Sequence, residues 1–181
     1  MVRRFLLLFL LLAAPAWAGQ PPPVNSYSGA AVSTMTTAGD TYCIQGSDTK
    51  VVQITAVNIS GIANGSSNEE VGLFRRSAPD TGGTSASVPV IPYDTTSPPA
   101  TATVTLYSVA PTEGAAVGPV RYDLILLGNN NANQAFQTRQ FRWQPERALI
   151  LRSSGEFLCL KFVTAPGTGA AIAISHEHTE Y

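Results

Sequence analysis

Short runs of β-branched, aromatic and leucine residues recur along the chain, and each run is stopped by Gly, Pro, Asn or Ser. Apolar residues within the runs tend to stand at every second position, so that Tyr122, Leu124 and Leu126 would share one face of a strand. A helix would instead need apolar residues three and four positions apart. The pattern predicts strands at 41–45, 50–62, 70–77, 101–109, 120–127, 134–143, 148–151, 156–163 and 170–179.

Many short strands separated by turn residues are typical of two packed antiparallel sheets. We therefore predict an all-β fold, an antiparallel β-sandwich or jelly-roll-like single domain. Asn64-Gly65 favours a tight turn and predicts a hairpin between the strands at 50–62 and 70–77. Ser153-Ser154-Gly155 predicts a second hairpin, between 148–151 and 156–163.

The longest irregular stretch joins the strand-like runs 71–77 and 101–109, and it is dense in Pro, Gly, Ser and Thr. An apolar island at 88–93 predicts a short edge strand, or an apolar tuck, inside this connector. A compact domain seldom keeps so long a connection unless it covers a sheet or binds something. We expect an interface in this part of the chain.

The first 40 residues differ from the rest. Arg3 and Arg4, the apolar run 5–12 and Ala16-Trp17-Ala18 have the order of a secretory signal peptide, so we predict a signal at 1–18. The run is too short to span a membrane comfortably, and we predict no membrane span in the mature chain. Residues 19–40, with three successive prolines, are predicted to form an extended arm. Residues 41–181 are predicted to form the β-sandwich domain.

Charge is scarce in this sequence. Charged residues make up 13% of the chain, and the formal net charge is −1 at pH 7. This balance gives no electrostatic basis for binding nucleic acid. The abundant small neutral side chains suit an extracellular β protein, or a subunit packed among neighbours.

The two cysteines, Cys43 and Cys159, both lie in predicted strands. In an exported chain two thiols most simply form a disulfide, and we predict this bond. The alternative is a pair of buried, reduced cysteines that act as small hydrophobic residues.

One short motif matches a catalytic pattern. Asp80-Thr81-Gly82 has the sequence found in aspartic proteases, which need two carboxylates sharing one proton, but the chain holds a single copy. Pro79 before it and Gly83 after it predict a turn instead. We predict no catalytic residues and no cofactor.

His176 and His178 stand two apart near the C-terminus, on the predicted face of Ile172 and Ile174. Two imidazoles on one face could hold a metal such as zinc or form a pH-sensitive rim. They could also continue a core face as it reaches solvent. A metal site needs a third ligand, which the sequence does not nominate, and we predict no metal.

Aromatic and basic residues stand together in the strand at 134–143, where Arg139 and Trp143 share a face. Aromatic rings beside arginine can stack on sugars or anchor a protein interface. The alternative places the Trp in the core with the Arg stem along the edge. With Arg75 and Arg76 at a strand end and Tyr93 in the connector, these are the five candidate interface or binding residues.

The connector also carries a resemblance. The segments Leu73-Phe74-Arg75-Arg76-Ser77, Thr81-Gly82-Gly83-Thr84-Ser85, Val90-Ile91-Pro92-Tyr93-Asp94 and Pro99-Ala100-Thr101-Ala102-Thr103-Val104, with Tyr107, are similar to a small β-rich family. Its members are often encoded among structural genes of tailed bacteriophages and prophages. The resemblance implies a virion-associated β-sandwich, a decoration or appendage subunit, with no catalytic residues. The N-terminal signal departs from it, because virion subunits normally assemble in the cytosol.

We therefore expect a non-enzymatic structural or interaction protein that works through contacts with other protein subunits, either copies of itself or virion or envelope components. It would be virion-associated if the resemblance holds. The alternative is a secreted or periplasmic binding module whose ligand is a glycan.

Overall fold

The computed structural model describes residues 24–64, 67–129, 137–144 and 147–181. Within these ranges the regular elements are twelve strands, which confirms the all-β prediction. The strands are β1 Asn25–Ser33, β2 Gly39–Gln45, β3 Val52–Ala63, β4 Ser67–Arg76, β5 Thr84–Ser87, β6 Val90–Pro92, β7 Thr103–Val109, β8 Ala116–Asn129, β9 Arg139–Arg142, β10 Leu149–Leu151, β11 Phe157–Phe162 and β12 Ala171–Glu180.

The strands form two sheets that meet at one point. Sheet A has the order β6-β1-β12-β3, and β9 and β10 pair with the far edge of β3. Sheet B has the order β5-β7-β2-β11-β4-β8. The sheets join where β3 pairs in parallel with β8, Ile62 opposite Gly128 and Ala63 opposite Asn129. All other pairings are antiparallel.

Outside the connector the chain crosses repeatedly from one sheet to the other, which gives the strand order of a jelly roll. Sheet A receives β1, β3, β9, β10 and β12, whereas sheet B receives β2, β4, β8 and β11. In each sheet a late strand lies between two early ones, since β12 separates β1 from β3 and β11 separates β2 from β4. This arrangement is the double-sheet solution to the problem of open sheet edges.

Both predicted hairpins are wrong. β3 lies in sheet A and β4 in sheet B, and the turn at Ser153 joins β10 of sheet A to β11 of sheet B. That turn does form, because the Glu156 N–H donates to the Ser153 carbonyl at 3.1 Å. Turn residues specify a change of direction but not the pairing partner. Here β12 occupies the position next to β3, and β11 occupies the position next to β4, although both are distant in sequence.

The core fills the space between the two sheets. Tyr42 and Leu73 of sheet B pack in one buried cluster with Ile54 and Ile172 of sheet A. Alternation along β12 turns Ile172, Ile174 and the two histidines inward, as their spacing in the sequence predicts.

The stretch predicted as an extended arm contains a full strand. β1 pairs with β12 along its whole length and also with β6. One of its small residues has a steric reason, since a Cβ at Gly29 would lie 2.6 Å from Cε1 of His176. The composition therefore suggested an extended arm where the chain forms a strand with a glycine packed against an imidazole. The predicted signal at 1–18 and the prolines at 21–23 lie outside the described residues.

The connector is pinned to both sheets. β5 pairs with β7 at the edge of sheet B, and β6 pairs with β1 at the edge of sheet A. The edge strand predicted in 88–93 is therefore confirmed. Val88, between these strands, is buried in the core.

Candidate functional site

β8 forms an edge of sheet B, and its first part is open. β4 covers one side of β8, from Ser67 opposite Leu127 to Arg76 opposite Ala116. On the other side, the Gln137 N–H donates to the Leu126 carbonyl at 3.2 Å, and β3 joins further on. Along 116–122 no described residue pairs with this side of the strand.

The open part of β8 also exposes large hydrophobic side chains. None of the residues from 116 to 124 is buried. Among the described residues nine large hydrophobic side chains are exposed, and four of them lie here: Val117, Val120, Tyr122 and Leu124. We call these four residues the β8 surface. Contiguous exposed apolar patches mark interaction sites more often than scattered ones do, so this clustering nominates the surface.

The sequence predicted a shared face for Tyr122, Leu124 and Leu126, but this face turns away from the core. Ile125 and Leu127, on the opposite face, are the buried residues. Because both faces of this strand carry apolar residues, alternation alone could not tell which one points inward. The β8 surface was missed for this reason.

The edge is protected against unlimited pairing. Asp123 Oδ1 accepts the Leu124 N–H at 2.8 Å, and Pro119 has no N–H to offer a partner strand. Natural edge strands use such features to prevent indiscriminate association. A partner must therefore match the side chains as well as the backbone.

A groove of about 430 Å³ continues from the β8 surface, lined by Val120, Arg121, Arg142, Trp143, Gln144 and Arg147. Two of the five candidate interface residues lie near β8, and one of them lines this groove. Trp143 lines the groove while packing partly against the core, and the Nε of Arg139 is 3.6 Å from Asp123 Oδ2.

The other three candidates lie elsewhere. Tyr93 is exposed after β6, at the opposite edge of sheet A. Arg75 forms an ion pair with Glu156 at 3.3 Å. Arg76 is buried among carboxylates, so its side chain is not available at the surface.

The two histidines belong to a buried hydrogen-bonded chain. The Tyr42 hydroxyl is 2.7 Å from His176 Nδ1, His176 Nε2 is 3.0 Å from His178 Nδ1, and His178 Nε2 is 3.3 Å from Glu180 Oε1. Glu180 also accepts the backbone N–H groups of Thr101 and Ala102. An ionised Glu180 can only accept, so His178 Nε2 is the donor in the hydrogen bond between these two residues.

Burial and hydrogen bonding shift the pKa values of His176 and Glu180. Burial and the neighbouring His178 lower the pKa of His176 to about 3. Burial alone would raise the pKa of Glu180, but the hydrogen bonds from His178, Ala102 and Thr101 lower it to about 2. Every ring nitrogen has a partner inside the sandwich, so the chain acts as structural support for the end of the connector.

Arg76 lies at the centre of an ion-pair cluster on the outer face of sheet B. Its Nε and Nη2 donate to both oxygens of Asp40, at 2.6 and 2.8 Å, and Nη2 also donates to Glu113 at 2.7 Å. Lys161 pairs with the other oxygen of Glu113 at 2.5 Å. The residues 113–115 are thereby held over the sheet.

The predicted disulfide is confirmed, between paired positions of β2 and β11. Disulfides persist in oxidising compartments, and this bond therefore indicates an extracellular or periplasmic type of environment. Cys43, Cys159, Asp40 and Asp80 lie close enough together to resemble a metal site. Because both sulfurs are joined to each other, neither is available as a thiolate ligand.

Asp80-Thr81-Gly82 forms the turn that the sequence predicted. Thr81 exchanges backbone hydrogen bonds with Thr112, and Gly82 and Gly83 have φ angles of 69° and 70°. Such positive φ angles favour glycine.

No helix among the described residues has the length and hydropathy to cross a membrane.

Compared with protein-family models, with curated proteins and with solved structures, the chain finds no match.

Proposed function

We propose that this chain is a non-enzymatic structural protein that acts through protein–protein contacts in an assembly, with the β8 surface as a contact between subunits. The observation that carries the proposal is the clustering of exposed hydrophobic side chains on an open sheet edge. An exposed edge of this kind is a template for a partner strand.

The partner that fits this edge best is a second copy of the chain. β8 carries Arg121 and Asp123 on either side of Tyr122. In an antiparallel pairing confined to residues 120–124, across a twofold axis at Tyr122, each Arg121 would face Asp123 of the other copy, a carboxylate that lies 3.6 Å from Arg139 in the single chain. Such a self-complementary patch is what a symmetric dimer contact requires.

Two further features bear on where such an assembly would form. The resemblance to phage structural families implies a decoration or appendage subunit. The disulfide favours secretion or the periplasm as the place of folding.

A non-enzymatic role is supported by the state of the reactive side chains. His176 and His178 are at most 1% exposed, and their ring nitrogens are used within the core. Asp80 stands in a turn, and the carboxylate beside it, Asp40, has both oxygens bound by Arg76.

Size-exclusion chromatography with light scattering tests the proposal. We expect the native chain to form dimers or larger species and Leu124→Lys to shift them to monomers, because a buried lysine at the contact has no partner. Ile91→Lys is the matched control, since Ile91 is 58% exposed at the other sheet edge and Leu124 is 60% exposed. A native chain that stays monomeric at high concentration contradicts the proposal.

A second candidate function is glycan binding in the groove beside Trp143. The specific observation is that three arginines and an indole ring line this groove, which suits an anionic sugar. A glycan array should then give signals that Arg142→Ala and Trp143→Ala reduce. An array without signals, or signals that neither substitution changes, removes this candidate.

A further inference from the structure

A second concave feature, on the outer face of sheet B, lies beside the disulfide. This cleft of about 220 Å³ is lined by Cys43, Gln45, Pro79, Asp80, Ser85, Thr105, Tyr107 and Phe157. The disulfide and the two aromatic rings form a small buried cluster at its base. Pro79 and Ser85 are exposed and form its rim. We call it the Asp80 cleft.

One oxygen of Asp80 lacks a hydrogen-bond donor. The side chain is 1% exposed. Oδ1 accepts the Gly114 N–H at 2.8 Å and lies 4.0 Å from the Nε of Arg76. Oδ2 lies 3.3 Å from the Sγ of Cys43. That sulfur is bonded to Cys159 and carries no hydrogen, so it cannot donate.

The one cation beside Asp80 among the described residues is Arg76, whose Nε lies 4.0 Å from Oδ1 and is shared with other carboxylates. Arg76 is engaged by Asp40 and Glu113, and Lys161 is engaged by Glu113. Three carboxylates therefore share two cations, and one negative charge is in excess. A buried carboxylate of this kind requires a partner, because removing a charge from water is costly unless it is paired.

The walls of the cleft narrow the chemistry of that partner. The residues Tyr107 and Phe157 are both 7% exposed and line the cleft with Asp80. The Tyr107 hydroxyl has no hydrogen-bond partner among the described residues. Aromatic faces beside a carboxylate attract organic cations. A water molecule occupies about 30 Å³ in the liquid, so the cleft exceeds the volume needed for one bridging water.

We propose that the Asp80 cleft binds a small organic ammonium ion. Its N–H group donates to Asp80 Oδ2, and its alkyl part lies against the rings of Tyr107 and Phe157. The site is independent of the β8 surface, which lies on another edge of sheet B, so either proposal can fail without the other.

Titration of the native, disulfide-bonded protein with n-propylammonium chloride, followed by amide NMR shifts, tests this proposal. We expect saturable shifts around Asp80, Tyr107 and Phe157. n-Propanol, which has the same chain without the charge, should bind about tenfold or more weakly. Asp80→Asn should weaken binding to a similar degree, because it removes the charge but keeps an acceptor for the Gly114 N–H.

A second variant acts on the mouth of the cleft. Ser85→Phe lies at an exposed position of β5, so it should leave the fold intact while blocking access and abolishing the shifts. The proposal is overturned if propylammonium causes no saturable shift, if n-propanol binds equally well, or if Asp80→Asn and Ser85→Phe both bind as the native protein does. Potassium chloride at the same concentration is the final comparison, and equal shifts would assign the site to inorganic cations instead.

Discussion

His176 and His178 occupy positions of β12 that continue the inward face of Ile172 and Ile174. A buried imidazole is tolerated only when its nitrogens are hydrogen-bonded. Here the hydrogen bonds run from His176 to His178 and end at the ionised carboxylate of Glu180. The consequence is that His176 must remain neutral in the folded protein. Its protonation is therefore coupled to unfolding.

The free energy of unfolding should fall as the pH decreases below about 6.5. The unfolded chain takes up a proton at His176 near pH 6.5, whereas in the folded protein the pKa is about 3. The unfolded state binds the extra proton in this window, so the loss reaches about 1.4 kcal/mol per pH unit. Urea unfolding followed by tryptophan fluorescence between about pH 5 and 8 measures this slope.

His176→Phe is the reference variant for this slope, and its stability should depend less on pH. The comparison also cancels the contribution of Asp40, which has the opposite sign to that of His176. Burial raises the pKa of the Asp40 carboxyl to about 6, despite the lowering effect of Arg76. Because that carboxyl is present in both proteins, the difference between the two slopes reports His176 and its hydrogen-bond partner His178. Equal slopes in the two proteins contradict the expectation.

At the level of elements, β12 fixes the end of the connector. Glu180 accepts hydrogen bonds from the backbone N–H groups of Thr101 and Ala102 and from the Thr101 hydroxyl, at 2.8 to 3.0 Å. Because β7 begins at Thr103, these bonds set where the chain re-enters sheet B. A single carboxylate thus ties an edge-forming segment to the central strand of the other sheet.

Glu180→Gln should loosen the connector. The amide keeps one acceptor oxygen but loses the charge that strengthens these bonds, so we expect a loss of about 1–3 kcal/mol in the free energy of unfolding. Hydrogen exchange should become faster at Thr101 and Ala102. Glu177→Gln, three residues earlier and facing outward, is the matched control and should change neither quantity. Unchanged exchange at Thr101 and Ala102 in Glu180→Gln would show that the connector is held by other contacts.

At the level of the whole molecule, the disulfide links two strands that are far apart in sequence. Cys43 and Cys159 are separated by 116 positions, and they join β2 to β11 in the middle of sheet B. The bond therefore restricts the unfolded chain strongly while adding little to a sheet that is already paired.

Replacing both cysteines by alanine should lower the free energy of unfolding, by up to about 5 kcal/mol in the chain-entropy description of so long a loop. Denaturant unfolding of the native and variant proteins measures the loss. The native protein with a reductant present should approach the variant. A native protein whose stability the reductant leaves unchanged would indicate that the bond is absent or inaccessible to reduction.

The sequence predicted the fold better than the sites, for physical reasons. Alternation in β12 placed the histidines on the core face, and the cysteines indicated their own pairing. Turn residues could not give the strand partners, because β3 and β4 face each other across the core instead of pairing. The Asp80 cleft escaped prediction because its residues, from Cys43 to Phe157, come together only through non-local pairing.

The position of β12 between β1 and β3 has a consequence for synthesis on the ribosome. Neither sheet can close before β11 and β12 have emerged, because each inserts between two strands made much earlier. Until then one edge of each of β1, β2, β3 and β4 remains unpaired. Such non-local pairing makes folding slow and leaves nascent chains prone to aggregation. Efficient production should therefore depend on slow expression or chaperone capacity more than on the stability of the finished protein.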